Sequence, residues 1–93
     1  QEDFYPRLRR YITSLKRGAT NNTERMQEYQ KVVGLSRDIV DCRLRKIVYL
    51  ASAPAQTNQT LNNMAKEERT LYERLYTIIN GWRDKILKVS DET

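Results

Sequence analysis

The side chains with the most capacity for polar chemistry lie in residues 37–47, where arginines and lysines alternate with aspartates. Asp41 has an arginine four residues away on each side, a spacing that allows ordinary ion pairs along one helix face. Arg43 and Lys46 are three residues apart and project together from a helix. Two interpretations remain open: a solvated helix face, or a group that binds phosphate or a carboxylate of a neighbouring chain.

The remaining reactive residue types exclude several classes of enzyme. The chain has no histidine, which excludes histidine acid–base catalysis and His-ligated metals. Its single cysteine, Cys42, forms no internal disulfide framework and is interpreted as a small buried hydrophobe. Glu67 and Glu68 are adjacent, so on a helix they point about 100° apart and favour a helix start rather than a paired acid and base. We expect no enzyme activity, no metal and no cofactor.

The aromatic residues allow two interpretations. Six tyrosines and one tryptophan among many arginines could stack nucleic-acid bases. Tyr11, Tyr29 and Trp82, however, fall at the apolar positions of helical repeats, which favours packing in a core.

The spacing of apolar residues predicts helices throughout and strands nowhere. Asp3 and Pro6 indicate the start of a first helix, and Gly18 its end. A long helix is predicted over 23–53 with Thr23 as its cap, then a loop over 54–63 and a last helix over 66–89. Gly34 could interrupt the long helix. The predicted fold is all-α, a bundle of three to four helices with one long central helix and antiparallel neighbours.

The length of the central helix indicates association with other subunits. Thirty helical residues extend about 45 Å, whereas a compact chain of this size is roughly 30 Å across. The apolar stripe follows nearly the whole helix, so we expect another chain to cover part of it. The alternative is an elongated bundle that covers itself.

The charge leaves further functions open. Lysine and arginine exceed aspartate and glutamate by 17 to 12, a net charge of +5, with the excess in the N-terminal half. This balance permits binding of nucleic acid, and a small helical nucleic-acid-binding domain is the alternative function. A helical enzyme similar to chorismate mutase is a more distant alternative. No apolar run reaches the roughly 18 residues of a membrane span, so we expect a cytoplasmic protein without membrane contact.

The order of three motifs resembles the helical A domain of an archaeal GINS subunit, a DNA replication factor. The motifs are Asp3-Phe4-Tyr5-Pro6-Arg7-Leu8, then Arg43-Leu44-Arg45-Lys46-Ile47, and finally Asn63-Met64-Ala65-Lys66-Glu67-Glu68 with Leu71-Tyr72 and Trp82-Arg83. Ala65-Lys66 stands where Thr-Pro is common in the family. The resemblance implies that residues 1–89 form the A domain and that residues 90–93 begin a linker to a C-terminal β-rich B domain.

The resemblance also implies a non-enzymatic scaffold. GINS subunits assemble as a tetramer of one subunit or of two paralogous types, and the complex joins the minichromosome-maintenance (MCM) helicase and a Cdc45/RecJ-like protein at the replication fork. DNA contact is expected to be weak or indirect, and the location to be the archaeal cytoplasm at the nucleoid. The residues expected at the subunit interface are Arg43, Arg45 and Lys46 as polar contacts, and Leu71, Tyr72, Leu75 and Trp82 as apolar anchors.

Overall fold

Four helices follow one another along residues 3–88, the part of the chain that the computed structural model describes. They are α1 (Phe4–Gly18), α2 (Thr23–Ser52), α3 (Asn58–Asn62) and α4 (Lys66–Leu87). No strand occurs within this part, which confirms the prediction of an all-α fold. The predicted helix end at residue 89 and the predicted linker over 90–93 lie outside the described residues.

The first two helices form an antiparallel hairpin, as the sequence predicts. The start of α1 lies beside the later part of α2, where the Arg43 guanidinium carbon is 4.7 Å from the centre of the Phe4 ring. The end of α1 lies beside the start of α2, where Arg25 Nη1 donates to the carbonyl oxygen of Gly18 at 3.5 Å. The two contacts run in opposite directions along the two helices.

The turn between α1 and α2 differs in detail from the prediction. Gly18 is still helical, and the left-handed backbone conformation occurs at Asn21, with φ of 63°. Asparagine tolerates this region because its short amide can bond the local backbone. The cap of α2 is Asn22 rather than Thr23, because the Asn22 side chain accepts the backbone N–H of Arg25 at 2.9 Å.

Helix α2 is continuous over 30 residues. Gly34 therefore does not split it into two helices. Gly34 is exposed, and no atom lies within 4 Å of the place where its Cβ would be, so packing does not require a glycine at this position. Its hydrogen bonds follow the regular helical pattern, and its main effect is a loss of helix propensity.

Helix α4 runs parallel to α2, so the prediction of antiparallel neighbours was wrong for this pair. Arg43 bonds Glu68, Ile47 shares a core cluster with Tyr72, and the carbonyl oxygen of Ser52 accepts from Arg83 Nη2 at 2.6 Å. Residue numbers rise together along both helices. The chain must therefore return from the end of α2 to the level of Arg43 before α4 begins.

Residues 53–65 make this return and are not the plain loop that the sequence predicts. They contain α3, whose cap is Thr57, because the Thr57 hydroxyl accepts the N–H of Thr60 at 3.2 Å. Leu61 and Met64 pack against the core. The Gln56 N–H donates to the hydroxyl oxygen of Tyr72 at 3.3 Å, which fastens the segment to α4. This short polar segment thus forms a helix that tertiary contacts stabilise, and the pattern of its own sequence does not predict those contacts.

The core is small and lies where α2, α4 and the returning segment meet. Its buried members are Ile47, Ala51 and Tyr72. Half-buried apolar side chains surround them: Leu50, Leu61, Met64, Leu71, Leu75, Tyr76 and Ile79. The molecule extends 70 × 26 × 15 Å with a radius of gyration of 19.1 Å, against about 12 Å for a compact chain of this length. Within the described residues, every helix is too short or too polar to cross a lipid bilayer.

Two of the three aromatic residues expected in a core are exposed. Tyr11 is 52% exposed and Trp82 62% exposed, while Tyr29 is half-buried. Cys42 is also exposed and not the buried hydrophobe that the sequence favours. The reason is the same for all of them: the apolar stripes are wider than the faces that α1, α2 and α4 bury against one another.

Candidate functional site

Glu68 lies at the centre of a hydrogen-bonded group that joins three helices. The Tyr5 hydroxyl donates to Glu68 Oε2 at 2.7 Å, and the backbone N–H of Ala65 donates to Oε1 at 2.9 Å. Arg43 approaches as a fork, with Nη2 donating to Oε1 at 3.1 Å and Nε donating to Oε2. Tyr5, Arg43, Ala65 and Glu68 are called the Glu68 network below. The network holds the only ion pair in residues 3–88 that has a buried partner, since Glu68 is 5% exposed.

The local sequence explains how each member reaches the centre. Glu68 is the third residue of α4, a position from which a glutamate side chain returns to the N–H of the residue before the helix. That residue is Ala65, which has no side-chain acceptor, so only this half of a capping box forms. Helix α4 nevertheless begins at Lys66 as predicted, although Thr-Pro is replaced by Ala65-Lys66.

Arg43 is fixed by two neighbours at once. Its guanidinium lies over the Phe4 ring at 4.7 Å while it bonds both oxygens of Glu68. Phe4 and Tyr5 also pack edge to face, with ring centres 4.9 Å apart. A planar guanidinium can stack on a ring and bind a carboxylate together, which lysine cannot do. The first turn of α1 is thereby attached to both α2 and α4.

The network shifts the pKa of each of its titratable groups. Burial by itself would raise the pKa of Glu68, but hydrogen bonds from Arg43, Tyr5 and the Ala65 N–H outweigh it and lower this pKa to about 2. Burial and the hydrogen bond to the Glu68 carboxylate raise the pKa of Tyr5 to about 12. The hydrogen bond to Glu68 also raises the pKa of Arg43. The stable state is therefore a carboxylate, a neutral phenol and a guanidinium.

This arrangement joins helices and occupies both oxygens of the Glu68 carboxylate. Glu68 accepts four hydrogen bonds, which fill the lone-pair positions of a carboxylate. A carboxylate of a neighbouring chain is one of the partners that the sequence allows for Arg43, and the carboxylate that Arg43 binds here lies within the same chain. Among residues 3–88, no three thiol or carboxylate side chains gather as a metal site would require.

The structure places the seven predicted interface residues in three settings. Arg43 belongs to the Glu68 network, and Tyr72 is buried in the core with its hydroxyl bonded to Gln56. Leu71 and Leu75 are half-buried against that core. The exposed members are Arg45, Lys46 and Trp82. The structure consists of a single chain, so a role for these residues at a subunit interface stays a prediction.

Some of the polar residues share a groove. Arg43, Lys46 and Glu68 line an open depression of about 660 Å³ between α2 and the returning segment. Cys42 lies on its rim, and Ile47 and Leu50 form part of its floor. Arg45 is not among its lining residues. The structure thus brings Arg43 and Lys46 together, as their spacing of three predicts, and places Arg45 elsewhere.

An apolar stripe on α4 begins at the edge of the core and continues into solvent. It consists of Leu71, Leu75, Ile78 and Trp82, with steps of 4, 3 and 4 residues that keep them on one side of the helix. Ile78 is 65% and Trp82 62% exposed, and Ile86 and Leu87 continue the apolar surface toward the end of α4. We call Leu71, Leu75, Ile78 and Trp82 the α4 stripe. The helix buries its other side through Tyr72, Tyr76 and Ile79.

Ile78 and Glu68 are not among the interface residues that the sequence predicts. The spacing of Ile78 from Leu75 and Trp82 was the available signal, because it places these residues on one side of a helix. Glu68 was interpreted only as a helix starter. Its position three residues after Ala65 was the available signal, because a glutamate there commonly bonds the start of its own helix.

A comparison with protein families identifies this arrangement of helices. Residues 1–87 match the family model Sld5, described as the GINS complex protein helical bundle domain. The chain belongs to this GINS family. A search of curated proteins and a search of solved structures each found no match.

GINS membership bears differently on the α4 stripe and on the Glu68 network. A GINS chain is a subunit of a DNA replication complex and associates with other GINS subunits. An exposed apolar helix face is the kind of surface that such association covers. The Glu68 network, in contrast, is internal to this GINS domain and sets the relative positions of its three longest helices.

Proposed function

We propose that this GINS domain is the assembly core of a tetramer, made of copies of this chain or of this chain and a paralogous subunit. The tetramer joins the MCM-type helicase and a Cdc45/RecJ-like protein at the replication fork. The domain acts by binding and has no catalytic turnover of its own. Residues 1–89 form the A domain, and residues 90–93 begin the linker to a B domain. The archaeal and cytoplasmic assignment rests on the order of the three sequence motifs.

The exposed α4 stripe is the observation that carries this proposal. Ile78 and Trp82 each leave more than half of their surface in water, on a helix whose neighbouring side is already buried through Tyr72. Burying apolar surface stabilises an assembly by roughly 25 cal/mol per Å² removed from water, before the costs of association. Tryptophan at the centre of a patch is also a frequent anchor of binding energy. A second helical subunit that covers the stripe supplies this stabilisation.

Exposed residues on α2 extend the proposed surface. Leu35 is 54% and Ile39 48% exposed, and they lie four residues apart on one side of α2. Arg45 and Lys46 are exposed farther along the helix and fit the polar rim of an interface. Arg43 and Tyr72 support the same surface from within, because they hold α4 against α2. A specific interface of this kind buries more than about 1,000 Å² in total.

The test is a single charge placed in the α4 stripe. Trp82→Asp removes the largest exposed anchor and would leave an unpaired carboxylate in the contact. We expect its molar mass by light scattering to fall relative to the wild-type chain, while helical circular dichroism is retained, because Trp82 is not part of the core. Thr77→Asp is the matched control, since Thr77 is exposed on the same helix outside the stripe. An unchanged mass for Trp82→Asp, or an equal loss for Thr77→Asp, would contradict the proposal.

GINS membership favours this scaffold over the other functions considered. A chorismate-mutase-like enzyme would need a clamp of basic residues around a dicarboxylate, whereas Arg43 is already paired with Glu68. The purified chain is expected to show no rearrangement of chorismate, and a measurable turnover would revive that alternative.

A further inference from the structure

We propose that the outer face of α1 binds the phosphodiester backbone of nucleic acid. This face consists of Arg9, Arg10, Thr13, Lys16 and Arg17 and is called the α1 outer face. It lies opposite Leu8, Ile12 and Leu15, the half-buried side chains on the inner side of α1. The inference is separate from subunit assembly, which the proposal above assigns to α2 and α4.

The charge of α1 is unusual for a surface helix. Its 15 residues include five arginines and lysines and no acidic side chain. Only Arg7 has an ion-pair partner, Asp3, at 3.8 Å, and neither of these belongs to the α1 outer face. The cations of the α1 outer face are exposed and enter none of the ion pairs within residues 3–88. Four like charges therefore face solvent without compensation from this part of the chain.

The spacing of these cations suits a chain of phosphates. Arg9 and Lys16 are seven residues apart, as are Arg10 and Arg17, so two rows of cations extend along about 10 Å of helix with Thr13 between them. One DNA strand carries a phosphate about every 3.4 Å along the duplex axis, so the face spans about three phosphates of a strand. Arginine, lysine and threonine are common donors to phosphate oxygens.

The composition of the face favours nucleic acid over an acidic protein. Stable protein interfaces have an apolar centre surrounded by a polar rim. The α1 outer face has cations and a threonine but no apolar side chain, and so it lacks such a centre. The chain is also a subunit of a DNA replication complex, which acts where nucleic acid is present.

The location of the face allows binding and assembly to occur together. Helix α1 packs along α2 between the contacts at Arg25 and Arg43. The exposed end of the α4 stripe lies toward the opposite end of the 70 Å molecule, near the end of α2. Substitutions in the α1 outer face should therefore leave the molar mass of the assembly unchanged.

The experiment compares two variants that lose the same charge. Arg10→Gln with Arg17→Gln removes two cations from the α1 outer face. Arg74→Gln with Lys85→Gln removes two exposed cations from α4 and is the control. Fluorescence anisotropy with labelled oligo-dT and with a labelled duplex gives the dissociation constant over about 50–200 mM salt. Light scattering and circular dichroism establish that both variants keep the mass and helicity of the wild-type chain.

The wild-type chain should bind with a dissociation constant of roughly 10⁻⁴ to 10⁻⁶ M near physiological salt, the usual range for non-specific contact. The α1 variant should bind more weakly, and its slope of log affinity against log salt should decrease by about 1.8 on duplex or about 1.4 on single strands, from two lost phosphate contacts. A loss on one probe alone supports the proposal and identifies the strand state that the face prefers. An unchanged slope, an equal loss in the α4 control, or no binding by the wild-type chain at low salt would overturn it.

Discussion

At the residue scale, Arg43 and Glu68 depend on each other for their hydrogen bonds. Glu68→Gln keeps the shape of the side chain but removes its charge and one acceptor, so Arg43 loses its carboxylate. Losing one partner of a buried pair costs about 3–5 kcal/mol. Because the Arg43 side chain is 31% exposed and can recover some hydration, we expect a loss of about 2–3 kcal/mol in the free energy of unfolding, measured by urea denaturation.

Glu67→Gln is the matched control for this prediction. Glu67 is the neighbouring residue, carries the same charge and is exposed. Both glutamates lie in the first turn of α4, where an acid gains about 0.3–1 kcal/mol from the helix dipole. The difference between the two variants therefore isolates the network. Equal losses in the two variants would mean that Glu68 acts only as a helix starter.

The pKa shifts predict how stability depends on pH. The pKa of Glu68 is lowered from 4.5 to about 2, so its contribution is complete above about pH 4.5 and is lost as the pH falls toward 2. The full shift corresponds to about 3 kcal/mol. The pKa of Tyr5 is raised from 10 to about 12, so the neutral phenol contributes below pH 10 and its contribution is lost as the pH rises toward 12.

Thermal unfolding measured as a function of pH checks both the loss of stability at acid pH (the acid limb) and the loss at alkaline pH (the alkaline limb). The free energy of unfolding should show little dependence on this network between about pH 5 and 9. Glu68→Gln should flatten the acid limb, and Tyr5→Phe should flatten the alkaline limb. An acid limb of the same depth in Glu68→Gln would show that other carboxylates cause it.

At the residue scale, the sequence singles out Arg43 and Glu68 as polar residues of interest, but it does not predict that they pair with each other. It leaves Arg43 open between a solvated helix face and a group that binds phosphate or a carboxylate of a neighbouring chain, and it indicates that Glu68 serves the start of a helix. The two residues are 25 positions apart on different helices. Periodicity reports which side of a helix a residue occupies and carries no information about which side of another helix faces it. A non-local pair of this kind becomes visible only in the folded chain.

At the element scale, replacing Gly34 with alanine should stabilise α2. It lies within a continuous helix, and a methyl group added there would meet no atom within 4 Å. Alanine is favoured over glycine inside a helix by about 0.8–1 kcal/mol. We therefore expect Gly34→Ala to raise the free energy of unfolding by up to about 1 kcal/mol in chemical denaturation. A decrease with loss of mass would show instead that another subunit approaches the backbone at Gly34.

The sequence predicted the existence and bounds of the long helices better than their directions. The helix over 23–53 is observed as Thr23–Ser52, and the last helix begins at Lys66 as expected. The direction of α4 depends on the path of residues 53–65, where α3 and the contacts of Leu61 and Met64 turn the chain back. Those contacts are tertiary. The sequence of this segment is short and polar, so on its own it predicts only a loop.

At the scale of the whole molecule, the elongated shape predicts that stability depends on protein concentration. The radius of gyration is 19.1 Å, and exposed apolar residues lie on α2 and α4, the two helices to which assembly is assigned. If other subunits cover these residues, the folded chain is stabilised by mass action. The thermal midpoint should therefore rise with concentration, as followed by circular dichroism. A chain that stays monomeric at about 100 µM with a constant midpoint would instead be an elongated bundle that covers itself.

The return of the chain through residues 53–65 has a consequence for folding during protein synthesis. Helices α1 and α2 are made before any part of α4, so Arg43 is made 25 residues before its carboxylate partner. The hairpin of α1 and α2 can close early, because both of its helices are made before α4 and its closing turn contacts, such as Arg25 with Gly18, are local. Ile47 and Ala51 stay in water until α4 has been made and has docked beside them. On the ribosome, the C-terminal end of α2 is therefore the last part of this hairpin to be covered, and the part that a chaperone could bind longest.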